Sequence, residues 1–209
     1  MTPEDILPTY DTIAEGFARG RNRTLFERRW LDRMLDHAPG RRLLDLGCGP
    51  GVPIATYLDE RRAEVTGVDG APAMISLFRK NLPRATAIHC DMRALDLGAR
   101  FDAILAWNSF FHLPAADQRA MFRVFGAHSA PRAVLMFTSG TCAGEAIGEV
   151  GGRNVYHASL SPDEYRALLR ENGFSPLAFV PEDPQCNGHS VWLARYTGQA
   201  EEKSPPRHA

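Results

Sequence analysis

Between Leu43 and Gly51 the chain reads Leu-Leu-Asp-Leu-Gly-Cys-Gly-Pro-Gly, and no other stretch limits the fold so strongly. An apolar run that ends in a carboxylate and passes into glycines at alternate positions describes a buried strand opening into a turn too tight for side chains. Gly47, Gly49 and Gly51 remove the Cβ atoms that would keep a ligand away, and Asp45 sets a carboxylate at the strand tip. A helix expected from about Val52 to Glu60 aims its amino end at the same spot. A ligand site at the carboxyl end of the first strand follows.

The glycine spacing separates two kinds of ligand. A dinucleotide fingerprint, G-x-G-x-x-G, needs a third glycine where Val52 stands, so that pattern fails. The run Asp45-Leu46-Gly47-Cys48-Gly49-Pro50-Gly51 instead closely resembles motif I of class I S-adenosylmethionine-dependent methyltransferases. The downstream register is the one a nucleoside fold requires. Glu64 to Asp69 is a β-branched strand ending in an acid about 20 positions beyond the glycines, where a carboxylate receives ribose hydroxyls. Ala85 to Cys90 ends in Asp91-Met92, and Phe101 to Trp107 ends in Asn108. Polar or aromatic strand ends in this series share one edge of a parallel sheet, the edge at which open α/β sheets bind ligands.

Composition narrows the class further. The 209 residues suit one domain with a sizeable core. A net charge of −1 gives no global basic field for nucleic acid, although Arg19, Arg21, Arg23, Arg28 and Arg29 cluster as a solvated or cofactor-facing group. Cys48, Cys90, Cys142 and Cys186 are far apart and form no C-x-x-C pair, which suggests neither a metal site nor a disulfide framework. Reduced thiols fit a cytoplasmic protein. No apolar stretch is long enough to span a bilayer, and the start is no signal peptide.

Outside the sheet, Thr24-Leu-Phe-Glu27 reads as a capping box, followed by Leu25, Phe26, Trp30, Leu31, Met34 and Leu35 on one helical face. Tyr10 to Phe17 is less regular and reads as a short helix folding over the site. Ser161-Pro-Asp-Glu164 is a second capping box, and Gly173 closes its helix. Two strands follow, Phe174 to Val180 and His189 to Tyr196. Glycines at 140, 144, 148, 151 and 152 make the run from Gly140 to His157 a mobile flap rather than a regular element. The polar tail 198–209 is expected to be flexible.

From Tyr10 to Tyr196 the order of elements resembles a small-molecule class I methyltransferase. The resemblance implies a Rossmann-like, seven-stranded, mostly parallel sheet with helices on both faces and an antiparallel C-terminal strand pair. It implies one domain over 1–197 with a helical lid at about 8–37, S-adenosylmethionine as cofactor and a small-molecule methyl acceptor. Carried over, Asp45, Gly47 and Gly49 surround the methionyl part, Asp69 the ribose hydroxyls, and Asp91 with the Met92 amide the adenine edge. Trp107 lies beside the methionyl end through its carbonyl, and Gly70 and Met74 pack near adenine and ribose. Ala71 departs from the family's usual serine, which removes a hydroxyl cap from the next helix. Trp107-Asn108-Ser109-Phe110 is not the Asp/Asn-Pro-Pro-aromatic signature of base or amide methylation, which speaks against a nucleic-acid acceptor.

Trp107, Phe110 and Phe111 read as an apolar acceptor wall or as core, and His112 as a proton acceptor or as a structural partner at a helix start. Tyr156, His157, Asn187 and His189 are further acceptor-pocket candidates. Two other readings remain at this point, a catalytically idle cofactor-binding subunit and a nicotinamide-dependent oxidoreductase.

Overall fold

The apolar runs of the sequence are strands lying side by side, and the computed structural model describes them within residues 1–198. The 198–209 tail expectation falls, beyond its first residue, outside the described residues. Helices α1 (Ile6–Gly20) and α2 (Arg28–His37) lead into β1 (Arg42–Leu46), α3 (Ile54–Glu60), β2 (Glu64–Asp69), α4 (Pro72–Asn81) and β3 (Thr86–His89). Then come β4 (Phe101–Ala106), α5 (Ala115–Ala127), β5 (Ser129–Ser139), β6 (Gly144–Val150) and β7 (Arg153–Ser159). The remaining elements are α6 (Pro162–Glu171), β8 (Phe174–Asp183) and β9 (His189–Tyr196).

Seven strands form one sheet in the order β3-β2-β1-β4-β5-β9-β8. The strands β1 to β5 run parallel, whereas β9 is antiparallel to both β5 and β8. Chain order reverses between β1 and β4, and such a switch point opens a crevice at the carboxyl edge. Period-two alternation divides the core. Leu43, Leu105 and Met136 meet Trp30, Leu58 and Phe78 on one face. Leu44, Ile104 and Leu135 meet Phe122, Phe125 and Tyr165 on the other. With both faces covered, the inner strands are apolar throughout, as parallel strands must be.

Four local expectations need correction. The Thr24–Glu27 capping box does not form: the Thr24 amide and hydroxyl both donate to Asn22 Oδ1 at 2.8 Å, Leu25 takes φ 55°, and helix α2 begins at Arg28. Glu27 is thereby free to turn inward, where it is 1% exposed. Helix α3 starts at Ile54 rather than Val52, and α1 is a regular helix of 15 residues rather than a short one. The glycine-rich run is an ordered hairpin, β6 pairing with β7 from Gly144↔Ser159 to Val150↔Arg153. Gly151 and Gly152, at φ 56° and 74°, supply the left-handed pair that a two-residue hairpin turn requires. Gly148 leaves room for His157, whose ring would stand 2.7 Å from a Cβ there. These glycines serve turn geometry and side-chain space.

The hydroxyl cap missing at Ala71 is replaced from elsewhere. Asp11 on α1 accepts the Ala73 amide of α4's first turn at 2.7 Å, fastening α1 to α4. Asp11→Ala is expected to lower stability by about 1 kcal/mol, the usual worth of an N-cap. It should also speed amide exchange across residues 6–20. Unchanged exchange there would show that the cap does not hold the lid.

Candidate functional site

The carboxyl edge of the sheet opens into a cavity of about 1070 Å³, its open mouth included, roofed by α1. Each sequence-nominated cofactor residue lines it, as does His112: Asp45 and the loop residues Gly47 and Gly49, Asp69 and Gly70 after β2, Met74 on α4, Asp91 and Met92 after β3, and Trp107 and His112 after β4; of the other acceptor-pocket candidates, Asn187 and His189 line a separate cavity, and Tyr156 and His157 line neither. Leu7, Tyr10, Phe17, Arg21, Arg93, Asn108 and Ser109 join them.

The loop after β1 is held against β2. The Gly47 and Cys48 amides donate to Val68 O at 2.8 and 3.1 Å, and the Gly49 amide donates to Asp69 Oδ2 at 2.9 Å. Asp69 Oδ1 accepts the Ala71 amide at 2.8 Å. Gly47 (φ 71°) is irreplaceable for space as well as conformation, since a Cβ would stand 2.2 Å from Ser109 Cβ. Ser109 in turn donates to Leu46 O at 2.6 Å, tying the end of β4 to β1. Leu7 of the lid packs on Gly70, where a Cβ would meet it at 2.7 Å.

Acids dominate the cavity's electrostatics. Burial raises the Asp45 carboxyl to about 7; the nearby Asp69 adds to the rise and Arg21 opposes it. Asp69 is also raised, by burial first, with the Ala71 and Gly49 amides working against it. Asp91 is lowered despite its burial because Arg93 grips it: Nε lies 3.0 Å from both carboxylate oxygens, and Nη2 lies 2.6 Å from Oδ2. Arg93 also reaches Asp117 of α5 at 2.9 Å.

Two buried polar groups near this cavity lack protein partners. Trp107, 4% exposed, stacks on His189 with centroids 5.4 Å apart, and its Nε1 has no acceptor. Both Glu27 carboxylate oxygens lack a hydrogen bond, with Arg21 Nη2 3.9 Å from one of them. Of the arginine cluster, Arg21 faces the cavity and Arg19 is exposed, paired with Glu15 at 3.6 Å.

His112 sits in a 3₁₀ turn, Phe110–His112. Its Nδ1 lies 2.8 Å from the Tyr156 carbonyl, which can only accept, so Nδ1 carries the proton and Nε2 receives the Tyr10 hydroxyl at 2.9 Å. Burial, the main cause, lowers His112 to about 4, with His157 contributing and the Tyr156 carbonyl opposing. Burial first, then Asp69, pushes Tyr10 up to about 12, so both partners are neutral at physiological pH. Phe110 is fully buried among Phe122, Phe125 and Phe137 and belongs to the core rather than an acceptor wall. Phe111 is half-buried and packs edge-on against His157.

Arg21 belongs to the arginine cluster that the sequence presents as solvated or cofactor-facing, whereas Leu7, Tyr10, Phe17 and Ser109 are lining residues the sequence does not single out. Tyr10 and Arg21 carried the only available signal, a polar side chain in the segment expected to fold over the site. Ser109 carried none.

Comparison with known proteins places this arrangement. Residues 43–132 match the family model described as a methyltransferase domain. The dTDP-3-amino-3,6-dideoxy-alpha-D-glucopyranose N,N-dimethyltransferase of Streptomyces fradiae is 30% identical over 179 residues, covering 80% of this chain and 69% of that protein. The 27-O-demethylrifamycin SV methyltransferase of Amycolatopsis mediterranei is 31% identical over 213 residues, covering 84% and 75%. The chain belongs to the S-adenosylmethionine-dependent methyltransferases. Its fold matches that of CalS10, an amino pentose methyltransferase of Micromonospora echinaspora solved with S-adenosylmethionine, with TM-score 0.69, 24% identity, and coverage of 90% of this chain and 97% of that one. The cofactor is S-adenosylmethionine, and the donor set suits it: buried acids for a cationic ligand, an arginine for its carboxylate and an orphaned indole N–H. No helix among the described residues is long and apolar enough to cross a membrane, and no group of His, Cys, Asp or Glu there could hold a metal ion.

Because Asp45 ionises near 7 and a cationic α-ammonium favours its charged form, affinity for S-adenosylhomocysteine should rise with pH from 6 to 8 and then level off. The slope cannot exceed about tenfold per pH unit for one proton. Calorimetry on Asp45→Asn should give a flat profile over that range; a slope that persists in the variant would assign the proton to another group.

Proposed function

We propose that this methyltransferase acts on a nitrogen or oxygen of a small, multifunctional metabolite. The observation that carries this reading is the roof: α1 closes over the cofactor cavity and ends its closure in the Tyr10–His112 hydrogen bond, leaving room for a small acceptor, while a net charge of −1 gives no global basic field for a polymer. The activities of the two relatives, one on a nucleotide-linked amino sugar and one on a rifamycin, support the same class.

When bound, S-adenosylmethionine supplies a methyl group on a positively charged sulfur. The chain's task is to orient both partners and exclude water, and alignment of this kind contributes most of the acceleration in such a transfer. Asp45, the Gly47 and Gly49 backbone and the Trp107 carbonyl hold the methionyl part, with the Arg21 guanidinium toward its carboxylate. Each Asp69 oxygen has accepted one amide and keeps a lone pair for a ribose hydroxyl. Gly70 and Met74 form the wall beside adenine and ribose, and Asp91, braced by Arg93, stands with the Met92 amide at the adenine edge.

His112 is a positioning residue in this reading. Both ring nitrogens are committed, and a group held neutral down to about pH 4 is a poor proton acceptor at neutrality. Its bond orients the Tyr10 hydroxyl, whose oxygen keeps a lone pair for an acceptor N–H or O–H.

Two measurements test the assignment. Asp69→Ala should weaken S-adenosylhomocysteine binding at least tenfold, since charge-assisted hydrogen bonds contribute about 1.5–3 kcal/mol each; unchanged affinity would remove Asp69 from the site. His112→Asn should retain cofactor binding and lose less than about a hundredfold in kcat, with no wild-type pH–rate inflection near 6.5. A larger loss, together with an inflection that vanishes in the variant, would make His112 the general base.

A further inference from the structure

A second cavity of about 640 Å³, open to solvent, lies over the carboxyl ends of β4 and β5 and the β8–β9 turn. Asn108 is a wall of both cavities, so a ligand in the second abuts the first. Its rim is built at some cost. Asn108 (φ 50°), Glu182 (43°) and Asn187 (52°) all take the left-handed conformation, which costs an L residue about 1–2 kcal/mol.

Specific bonds hold two of these three residues. The Asn108 amide donates to Thr138 Oγ1 at 2.9 Å, and the Glu182 amide donates to Ser190 Oγ at 3.0 Å. His189 Nδ1 donates to the Cys186 carbonyl at 2.9 Å, so its Nε2 accepts from Asn108 Nδ2 at 2.9 Å. The shared wall is thus a closed network with its protons assigned. The Thr141 hydroxyl, the Glu182 carboxylate and the Asn187 carboxamide, by contrast, make no side-chain hydrogen bond to the protein among the described residues. Phe111 supplies an aromatic surface, and the lining contains no lysine or arginine.

The geometry points to this cavity as the recognition site for the body of the methyl acceptor, a body bearing several hydroxyl groups and an amine, as an amino sugar does, with no anionic group there. This inference rests on the methyltransferase reading above. A hydroxyl-rich ring offers donors and acceptors in alternation, matching a hydroxyl, a carboxamide and a carboxylate that are free to pair. Its C–H face suits Phe111. An ammonium group gains a charge-assisted bond from Glu182, whereas a carboxylate or phosphate meets that charge with no cation to offset it. A wholly apolar acceptor would desolvate the three polar side chains and pair none of them.

The test is an amide-resolved NMR titration of the S-adenosylhomocysteine-saturated protein with methyl 3-amino-3-deoxyglucopyranoside, methyl glucuronate and cyclohexylamine. The aminoglycoside should shift Thr141, Glu182, Asn187 and Gly188 saturably and bind at least about tenfold tighter than the other two, the worth of one net hydrogen bond. Glu182→Gln, at an exposed position, should weaken the aminoglycoside about tenfold and leave S-adenosylhomocysteine affinity unchanged. Shifts confined to Tyr10 and His112, no saturable shift, equal binding of cyclohexylamine or glucuronate, or an unaffected Glu182→Gln would each overturn the inference. The methyltransferase reading has its own readout: loss of S-adenosylhomocysteine binding in the wild-type protein would sink it and this inference together, while intact binding with a silent second cavity would sink this one alone.

Discussion

The site depends on one carboxylate whose two oxygens are shared between two backbone segments. Asp69 accepts the Gly49 amide on one oxygen and the Ala71 amide on the other, so a single side chain fixes both the glycine loop and the entry to α4. Glycines at 47, 49 and 51 lose more conformational freedom on folding than any other residue would. The loop stays in place because its amides bond to the end of β2 instead of to its own helix. Without that attachment the close backbone approach that the glycines permit would have no fixed shape to offer a ligand.

The attachment also creates an electrostatic imbalance. It brings Asp69 near Asp45 in a buried pocket, where burial raises both carboxyls and Asp69 adds to the rise at Asp45; Arg21 opposes the rise at Asp45, and the Ala71 and Gly49 amides and His89 oppose it at Asp69. A pocket short of positive charge strengthens its hold on a cationic ligand, because the ligand supplies charge that the fold left out. Trp107 Nε1 and the Glu27 carboxylate are unsatisfied in the same part of the molecule. Buried groups of this kind cost about 1–3 kcal/mol each when unpaired, a cost that proteins concentrate at functional sites.

Legibility followed the range of the interactions. The strands, the glycine loop and the acidic strand ends could be read because each is encoded by period or by adjacent residues: Glu64–Asp69 and His189–Tyr196 have the very bounds expected from the sequence. The Ser161 cap also forms, accepting the Glu164 amide at 3.2 Å, though the Glu164 carboxylate goes to Arg119 rather than back to the cap. The Thr24 box failed because a tertiary demand, Glu27 turning in beneath Arg21, outweighed a local motif. Glycine density suggests looseness, but in the hairpin Gly151 and Gly152 satisfy a turn and Gly148 makes room for a ring, demands that only the folded chain reveals. Ser109 and the Asp11 cap could not be seen at all, since each joins segments about 60 residues apart with no sequence pattern linking them.

Helix α1 is attached to the molecule differently from the strands beneath it. Among its 15 residues only Ile6 and Ala14 are buried, each in a small apolar cluster separate from the two main cores. Burying an Ile side chain contributes about 1.5–3 kcal/mol, and an Ala far less. The Asp11 cap and the Tyr10–His112 bond each add about 1 kcal/mol. Half-buried Tyr10 and Phe17 join these clusters and Leu7 packs on Gly70, so α1 is held by side chains rather than by the backbone ladder that fixes a core strand. The contacts are also divided between two neighbours: Ile6 packs with Val155 and Tyr156 of β7, while Ala14 packs with Ala71 and Met74 around α4. One end therefore adjoins Met74 of the cavity wall, and the other adjoins the hairpin side where His112 meets the Tyr156 carbonyl. A helix clamped at its two ends by separate clusters thus joins both sides of the cavity without being part of the sheet beneath it.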